Sequence, residues 1–458
     1  MHHTPPFDDE ADFDLLTAEL TATPVRRRIG RIVRADGASL TVAGLAPQAR
    51  LGDLARVAPG GDAAAAVTAE VVALIDGHAL LMTHRPPEGA GLGDPVTLIP
   101  DPGPRPCEGW LGRVVDAFGA PRDGRPLPQG DRPARLRAPA PAPMRRARLG
   151  PRLSTGLCVF DTLLPIVRGQ RIGLFAGSGV GKSSLLADLA RGVKADCAVI
   201  ALIGERGREL REFTEGVLGP EGLARSVVVA ATSDESPLVK RRAAWTAMCA
   251  AEHLRDRGRH VLLLVDSLTR FAEAHREIAL TAGEPPSLRA YPPSTAAQLA
   301  ALTERAGPGE VRADGTHGDI TAVFSVLVAG SDMEEPVADM TRGLLDGHVV
   351  LSREIAERGR FPAVDVGRSV SRALPGCANA AERALIAAAR RALALHERAE
   401  PMVQAGLWRE GADPEADRAL AVFPALDAAC AARAADPAAA FAALAEALGL
   451  PAPAADAA

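Results

Sequence analysis

The stretch LFAGSGVGKSSLL, Leu174 to Leu186, decides how the rest of the chain is read. Ala176-Gly177-Ser178-Gly179-Val180-Gly181-Lys182-Ser183 fits the phosphate-loop pattern G-x-x-x-x-G-K-[ST], with Ala standing where the strict form has Gly. The glycines let successive backbone N–H groups turn toward one phosphate, and the start of the following helix adds its partial positive charge. The flanks agree: "RIGLF" ahead of the loop is strand-like, and Leu185, Leu186 and Leu189 behind it give a helix an apolar face. Gly177, Ser178, Gly179, Val180, Gly181, Lys182, Ser183 and Ser184 are therefore read as a nucleotide cradle. Lys182 would reach the β and γ phosphates of ATP, and the Ser183 hydroxyl would coordinate Mg²⁺.

Outward from the loop, "QRIGLFA", "CAVIALIG", "SVVVAAT", "HVLLLVD", "ITAVFSVLVAG" and "GHVVLS" are apolar strand-like runs separated mostly by segments long enough for helices. Runs apolar on both faces predict a parallel sheet covered on both sides, over about 151–373. Upstream, "RIGRIVRADGASLTVAGL" and the short alternating pieces after it predict a small β-barrel over 25–100. Between them lies a connecting region, 101–150, dense in Pro, Gly and Arg and interrupted by "LGRVVDAFGAPRDG", a strand followed by turns. After Pro375 the strand pattern stops; "ANAAERALIAAARRALALHERAE" and "DPAAAFAALAEALG" predict a C-terminal helical domain over 374–458, with a frayed Pro/Ala tail. Residues 1–24 include "FDLLTAEL", with Phe13, Leu16 and Leu20 on one helical face, suited to packing on the barrel or to binding a partner helix.

The totals narrow the function classes. A chain of 458 residues is long enough for about three domains, and 47% hydrophobic with 24% charged residues is ordinary globular composition. A net charge of −5 gives no global field for nucleic acid or an anionic membrane, and the triplet Arg26-Arg27-Arg28 reads as a solvated turn. The six cysteines form no C-x-x-C pair, which points to reduced, mostly buried thiols in a cytosol. The N-terminus is acidic where a signal peptide is basic, no apolar run reaches the roughly 18 residues a membrane span needs, and His2 and His3 read as a polar tip rather than a metal site.

Hydrolysis needs two carboxylates near the loop. "HVLLLVDSLTR" ends a buried strand on Asp266, at the edge where the phosphate loop sits, which makes Asp266 the Mg²⁺-side carboxylate. "ALIGERGREL" puts Glu205 just past another strand, where it can orient an attacking water. Glu209 and the arginines beside it offer the competing reading of charge pairing on a solvated helix.

The phosphate loop together with "GERGRE", "VDSLTRF", "REIALTAGEPP", "YPPS", "LTERAGPG" and "LLDGHVVLSREIAERGRFPAVDVGRSVSR" resembles the ATPase family of bacterial type III export, related to rotary ATP synthase subunits. The resemblance covers nearly everything after about residue 28. "ATSDESPL" and "SRALPGC" look more like the flagellum-specific branch than the injectisome branch. The resemblance implies a RecA-like P-loop nucleotide-binding core. It makes Glu205 the catalytic carboxylate, puts Arg206 and Arg270 near the phosphate or orienting acidic groups, makes Phe361 of "RFPAVD" the adenine-stacking residue and makes Arg372 of "SVSR" an arginine finger reaching a neighbour's nucleotide. It also implies a homohexamer, a peripheral stator protein, a coiled-coil stalk protein, a membrane export gate, chaperoned export substrates, and a place in the cytoplasm at the inner face of the membrane.

Two other classes compete. A ring helicase or transcription terminator would share the loop and the finger, but should bring aromatic or basic nucleic-acid surfaces; Tyr291 is the only tyrosine and no "GFGF" run occurs, so no nucleic-acid partner is expected. A scaffold that binds ATP without hydrolysis is disfavoured by Glu205. The loop Ala306–Asp319 is expected to be flexible from its glycines and to line a central hole, with His317 a solvated residue in it.

Overall fold

The computed structural model describes residues 29–37, 39–328 and 333–453. The readings of His2, His3, Phe13, Leu16, Leu20, the Arg26–Arg28 triplet and the tail beyond residue 453 fall outside these residues. The chain divides into two compact units, one ending at Asp101 and the other beginning at Pro102.

The first unit is a closed antiparallel barrel. Its strands are β1 (Ile29–Asp36), β2 (Ser39–Ala43), β3 (Leu54–Val57), β4 (Val67–Ile75), β5 (His78–Thr83) and β6 (Pro95–Ile99), in the order β1-β2-β5-β4-β3-β6, with β6 closing on β1. The period-2 pattern sends Leu40, Val42, Ala55, Val57, Val71, Leu81 and Val96 inward to form its core. Asp76 and Gly77, both at positive φ, make the two-residue turn between β4 and β5. The barrel read from the alternating segments is borne out.

The second unit is built on a nine-stranded sheet. Its strands are β7 (Arg113–Val115), β8 (Arg171–Ala176), β9 (Cys197–Glu205), β10 (Ser226–Thr232), β11 (His260–Asp266), β12 (Gly307–Pro308), β13 (Asp319–Leu327), β14 (Gly347–Leu351) and β15 (Val364–Ser371). They lie in the order β15-β14-β8-β13-β11-β9-β10-β7, with β12 beside β13. Pairing is parallel except for β15 on β14 and β12 on β13. Cys197 to Ile203 are all buried, as a strand covered on both faces requires. Its longer helices are α1 (Lys182–Gly192), α2 (Pro237–Arg255), α3 (Leu268–Thr281), α4 (Ser294–Thr303), α5 (Ala380–Gln404), α6 (Pro414–Ala431) and α7 (Pro437–Leu448).

Two features go beyond the sequence reading. The strand read in "LGRVVDAFGAPRDG" is β7, and it pairs in parallel with β10 at the edge of the sheet, so the Pro-rich stretch from Pro102 on belongs to the core unit instead of standing apart as a connector. The C-terminal helices are in that unit as well: Leu385, Ile386, Leu426, Phe441 and Leu444 share one apolar cluster with Leu185 and Leu189 of α1. At the start of α5, Asn379 and Glu382 form a capping box, and Arg152 lies 2.9 Å from the same Glu382.

Residues 306–319, expected to be a flexible loop, are tied down. Ala147 and Val311 N–H groups donate across to Gly309 and Arg145 carbonyls at 2.9 and 3.0 Å, and Gly309 N–H donates to Gly318 at 2.9 Å. The glycines supply tight turns here rather than freedom, because the backbone groups they expose find partners. His317 lies 3.5 Å from Asp319. Of the six cysteines, four are buried and two half-buried, all as free thiols.

Candidate functional site

The carboxyl ends of β8, β11 and β9 bring the site together. Leaving β8, the chain turns through Gly177 to Gly181 and enters α1 at Lys182. Gly181 has φ +84°, and a Cβ added there would lie 3.0 Å from the Phe361 ring. A side chain at this position would thus be strained by its backbone and would press on Phe361. Val180 is buried and anchors the loop, while Ser178, Ser183 and Ser184 are exposed at its mouth.

Lys182 Nζ is paired with Asp266 Oδ1 and lies 3.8 Å from Glu205 Oε1. Asp266 is 4% exposed, and its Oδ1 also accepts a 2.6 Å hydrogen bond from the Ser325 hydroxyl on β13, the strand between β8 and β11. A buried carboxylate needs such partners, since desolvation otherwise disfavours its charge. Glu205 is less well served. Burial, reinforced by the neighbouring Asp266 carboxylate, pushes the Glu205 carboxyl up to about 7, with the Lys182 ammonium pulling the other way without cancelling. A carboxyl that titrates near neutrality is suited to accepting a proton.

The cavity beside the loop has a volume of about 920 Å³ and is lined by Gly177, Lys182, Ser183, Glu205, Arg206 and Arg270, among others. Arg206 and Arg270 each pair with an acidic side chain three residues on, Glu209 at 3.3 Å and Glu273 at 2.8 Å. Arg270 packs over Gly204, the residue before Glu205. Phe361, 52% exposed, is not in the cavity lining but sits against Gly181. Arg372 is not brought to the site of its own chain: it is exposed just beyond β15, with its N–H donating to the Asp346 carbonyl at 3.1 Å.

The cavity has a second wall that the sequence reading did not assign. Arg276 of α3 lies 4.9 Å from the ring centre of Tyr291, and both line the cavity together with Arg289 and Glu335. The motifs "REIALTAGEPP" and "YPPS" contain or flank three of these residues, so the signal was present without a role attached. Thr269 locks the nearby end of β13, donating to the Leu327 carbonyl at 3.3 Å and accepting from its N–H at 2.8 Å.

A lysine between two carboxylates at the foot of a phosphate loop fits hydrolysis of a nucleoside triphosphate, and the parallel sheet beneath it is that of the RecA-like P-loop ATPases. Comparison with known proteins narrows this class. Residues 156–371 match the ATP synthase alpha/beta family, nucleotide-binding domain, and residues 378–445 match the T3SS EscN ATPase C-terminal domain. The chain is 50% identical to a flagellum-specific ATP synthase of Caulobacter vibrioides over 79% of its own length and 82% of that protein's. It is 43% identical to a type 3 secretion system ATPase of Xanthomonas euvesicatoria, over 88% and 90% of the two chains. The assembled ATPase EscN of the enteropathogenic E. coli type III secretion system superposes with a TM-score of 0.84 at 34% identity, covering 92% of this chain and 100% of EscN; EscN is also known in complex with its central stalk EscO. The chain belongs to the family of flagellum-specific and type III secretion ATPases, and it is an ATP-hydrolysing enzyme.

Proposed function

We propose that this chain is the ATP-hydrolysing motor of a flagellar type III protein export apparatus, with the injectisome as the second reading. The higher identity to a flagellum-specific relative supports the first. The observation that carries the reading is the separation of parts: Lys182, Asp266 and Glu205 meet at one sheet edge, while Arg372 stands exposed elsewhere in the same chain. Identical subunits arranged head to tail complete one another's sites, which supports a homohexamer.

In this reading the backbone of Gly177 to Ser184 and the Lys182 ammonium bind the phosphates, Phe361 stacks on the adenine, and Glu205 orients water and accepts its proton. Arg206 and Arg270 hold Glu209 and Glu273, and Arg372 neutralises charge at the neighbour's transferring phosphoryl group. Asp266 and Ser183 fit Mg²⁺: one buried carboxylate and one hydroxyl, both hard oxygen donors, are the set expected for an ion held chiefly by substrate phosphates. When bound, the ion would neutralise phosphate charge. No cluster of three or more His, Cys, Asp or Glu suited to a metal occurs among the described residues.

The proposed partners are a peripheral stator, a coiled-coil stalk in the place that the central stalk EscO takes with EscN, the membrane export gate, and export substrates with their chaperones. The working place is the cytoplasm, at the inner face of the membrane. No helix among the described residues is long and apolar enough to cross a membrane. The test is motility and filament assembly in a strain lacking the gene, complemented with wild type or Glu205→Gln. Loss of both filament and swimming, unrescued by Glu205→Gln, is expected; normal swimming of the deletion strain would refute the flagellar reading and favour the injectisome.

A further inference from the structure

Phe361 belongs to a loop, with Pro362, between the short helix Arg353–Glu357 and β15. One side chain shapes that loop. Arg360 Nη1 donates to the Pro362 carbonyl at 3.0 Å and Nη2 to the Val364 carbonyl at 2.9 Å, so a single planar fork gathers the chain on the far side of Phe361. The Arg360 backbone N–H donates to Ile355 at 3.3 Å, which closes the near side.

The third guanidinium nitrogen makes no hydrogen bond to the loop. Arg360 Nε lies 3.0 Å from Asp427 Oδ1 on α6, with the arginine side chain 10% exposed and the aspartate 31%. The arginine is nearly buried and no hydrogen bond joins its Nε to the carboxylate, so the pair is held by charge, and removing the aspartate leaves the guanidinium without this counter-charge. The adjacent pair Arg358–Glu400, at 3.3 Å, has a carboxylate of similar exposure but a far more exposed arginine. Beyond the loop, Arg390 of α5 donates to the Val366 and Ser369 carbonyls at 3.2 and 3.4 Å. The loop that presents Phe361 to Gly181 is thus braced from the C-terminal helices.

We propose that Asp427 is a positioning residue for the purine end of the nucleotide site: through Arg360 it holds the Phe361–Pro362 loop against Gly181, so that α6 sets how firmly the base is gripped. This rests on the reading that Phe361 stacks on adenine. It separates two parts of nucleotide affinity, since the phosphates are held by residues 177–184 and the base by a loop tied to α6.

The experiment compares a ligand that has a base with one that lacks it. Binding of ADP and of tripolyphosphate to the full-length protein is measured by calorimetry, alongside steady-state ATP hydrolysis, for wild type, Asp427→Asn, Asp427→Glu, Arg360→Lys and Phe361→Ala. Asp427→Asn is expected to weaken ADP about fivefold, leave tripolyphosphate unchanged, and raise KM for ATP by a similar factor while kcat changes by less than about twofold. Asp427→Glu should restore most of the loss, because the carboxylate is retained. Arg360→Lys keeps the charge facing Asp427 but loses the two-carbonyl fork, so it must show the same selective loss and serves if Asp427→Asn does not fold. Equal weakening of both ligands, or unchanged ADP binding in Asp427→Asn, overturns the proposal. Phe361→Ala tells the two failures apart: if it also leaves ADP binding intact, the stacking reading has failed, and if it alone weakens ADP, the positioning role has failed.

Discussion

Replacing Glu205 by Gln tests the site in two independent ways. Gln keeps the shape and hydrogen-bonding capacity of the side chain but takes up no proton near neutral pH, so a general base is removed and kcat should fall by about 10² to 10⁴, roughly 3 to 5 kcal/mol of barrier. The second effect is on the resting fold. Burial raises this carboxyl from 4.5 to about 7, so keeping it ionised above pH 7 costs the folded protein about 3 kcal/mol. The folded state holds the proton more tightly than the unfolded chain. The stability it contributes is therefore complete below pH 4.5 and is lost as pH rises through 7. Glu205→Gln lacks this loss, so in nucleotide-free, metal-free buffer its Tm should exceed that of wild type by roughly 6 °C at pH 8, taking about 2 °C per kcal/mol, and the gap should close toward pH 4.5. Thermal melts across this range and steady-state hydrolysis measure the two effects. A kcat within tenfold of wild type would refute the role as base. A Tm difference that does not vary with pH would refute the electrostatic account of the site.

Arg372→Ala should lower kcat by about 10³ to 10⁵ while sparing ADP binding, and mixing it with Lys182→Ala protein should recover activity, since a mixed ring contains sites built from the intact half of each. No recovery on mixing counts against shared sites. His275, bonded to Ser294 Oγ at 2.8 Å and 3.4 Å from Arg241, is driven down to about 4 by burial and by that guanidinium. Its neutral ring supplies stability that is complete above pH 6.5 and is lost as pH falls through 4, about 3 kcal/mol in all. His275→Gln should flatten that part of the stability profile, and an unchanged profile in chemical denaturation would show that His275 is not the titrating group.

How much of this was legible in the sequence follows from how local each signal is. The phosphate loop, Asp266 and Glu205 each sit within a few residues of a strand end, and strands buried on both faces stand out as unbroken apolar runs, so sheet and site could be read together. The strand in "LGRVVDAFGAPRDG" is legible and is β7, but three residues among Pro- and Gly-rich turns carry no periodicity that shows which sheet they join, so the stretch reads as a connector. The helix α6 carries Pro424 in its interior, which interrupts the helical signal, although Asp413 caps its start. Tyr291 and Arg276 form a cavity wall only after α3 and the loop after it fold back, and Asp427 looks like any solvated helix residue until Arg360 is placed beside it.

The C-terminal helices are bound into the machinery of the site rather than appended to it, and the irregularity of β15 shows why. Along β14 the partner of His348 is Val370, yet the partner of Val350 is Asp365, so the middle of β15 bulges off the ladder and leaves carbonyls without strand partners. The Arg390 guanidinium of α5 fills that place, bonding Val366 and Ser369 together with the Leu163 carbonyl at 3.1 Å, while the Ser369 hydroxyl accepts from Val350 N–H at 2.9 Å. An unmet buried carbonyl costs about 1 to 3 kcal/mol, so a bulge of this kind persists only where another element satisfies it. The same strand begins three residues after Phe361 and ends one residue before Arg372. Both ends of the segment that carries the proposed base platform and the proposed finger are therefore held in place by α5 and α6. If Phe361 and Arg372 have the proposed roles, a change in how those helices pack would reach a subunit's own nucleotide through Arg360 and its exposed Arg372 through Arg390, without passing through the phosphate loop.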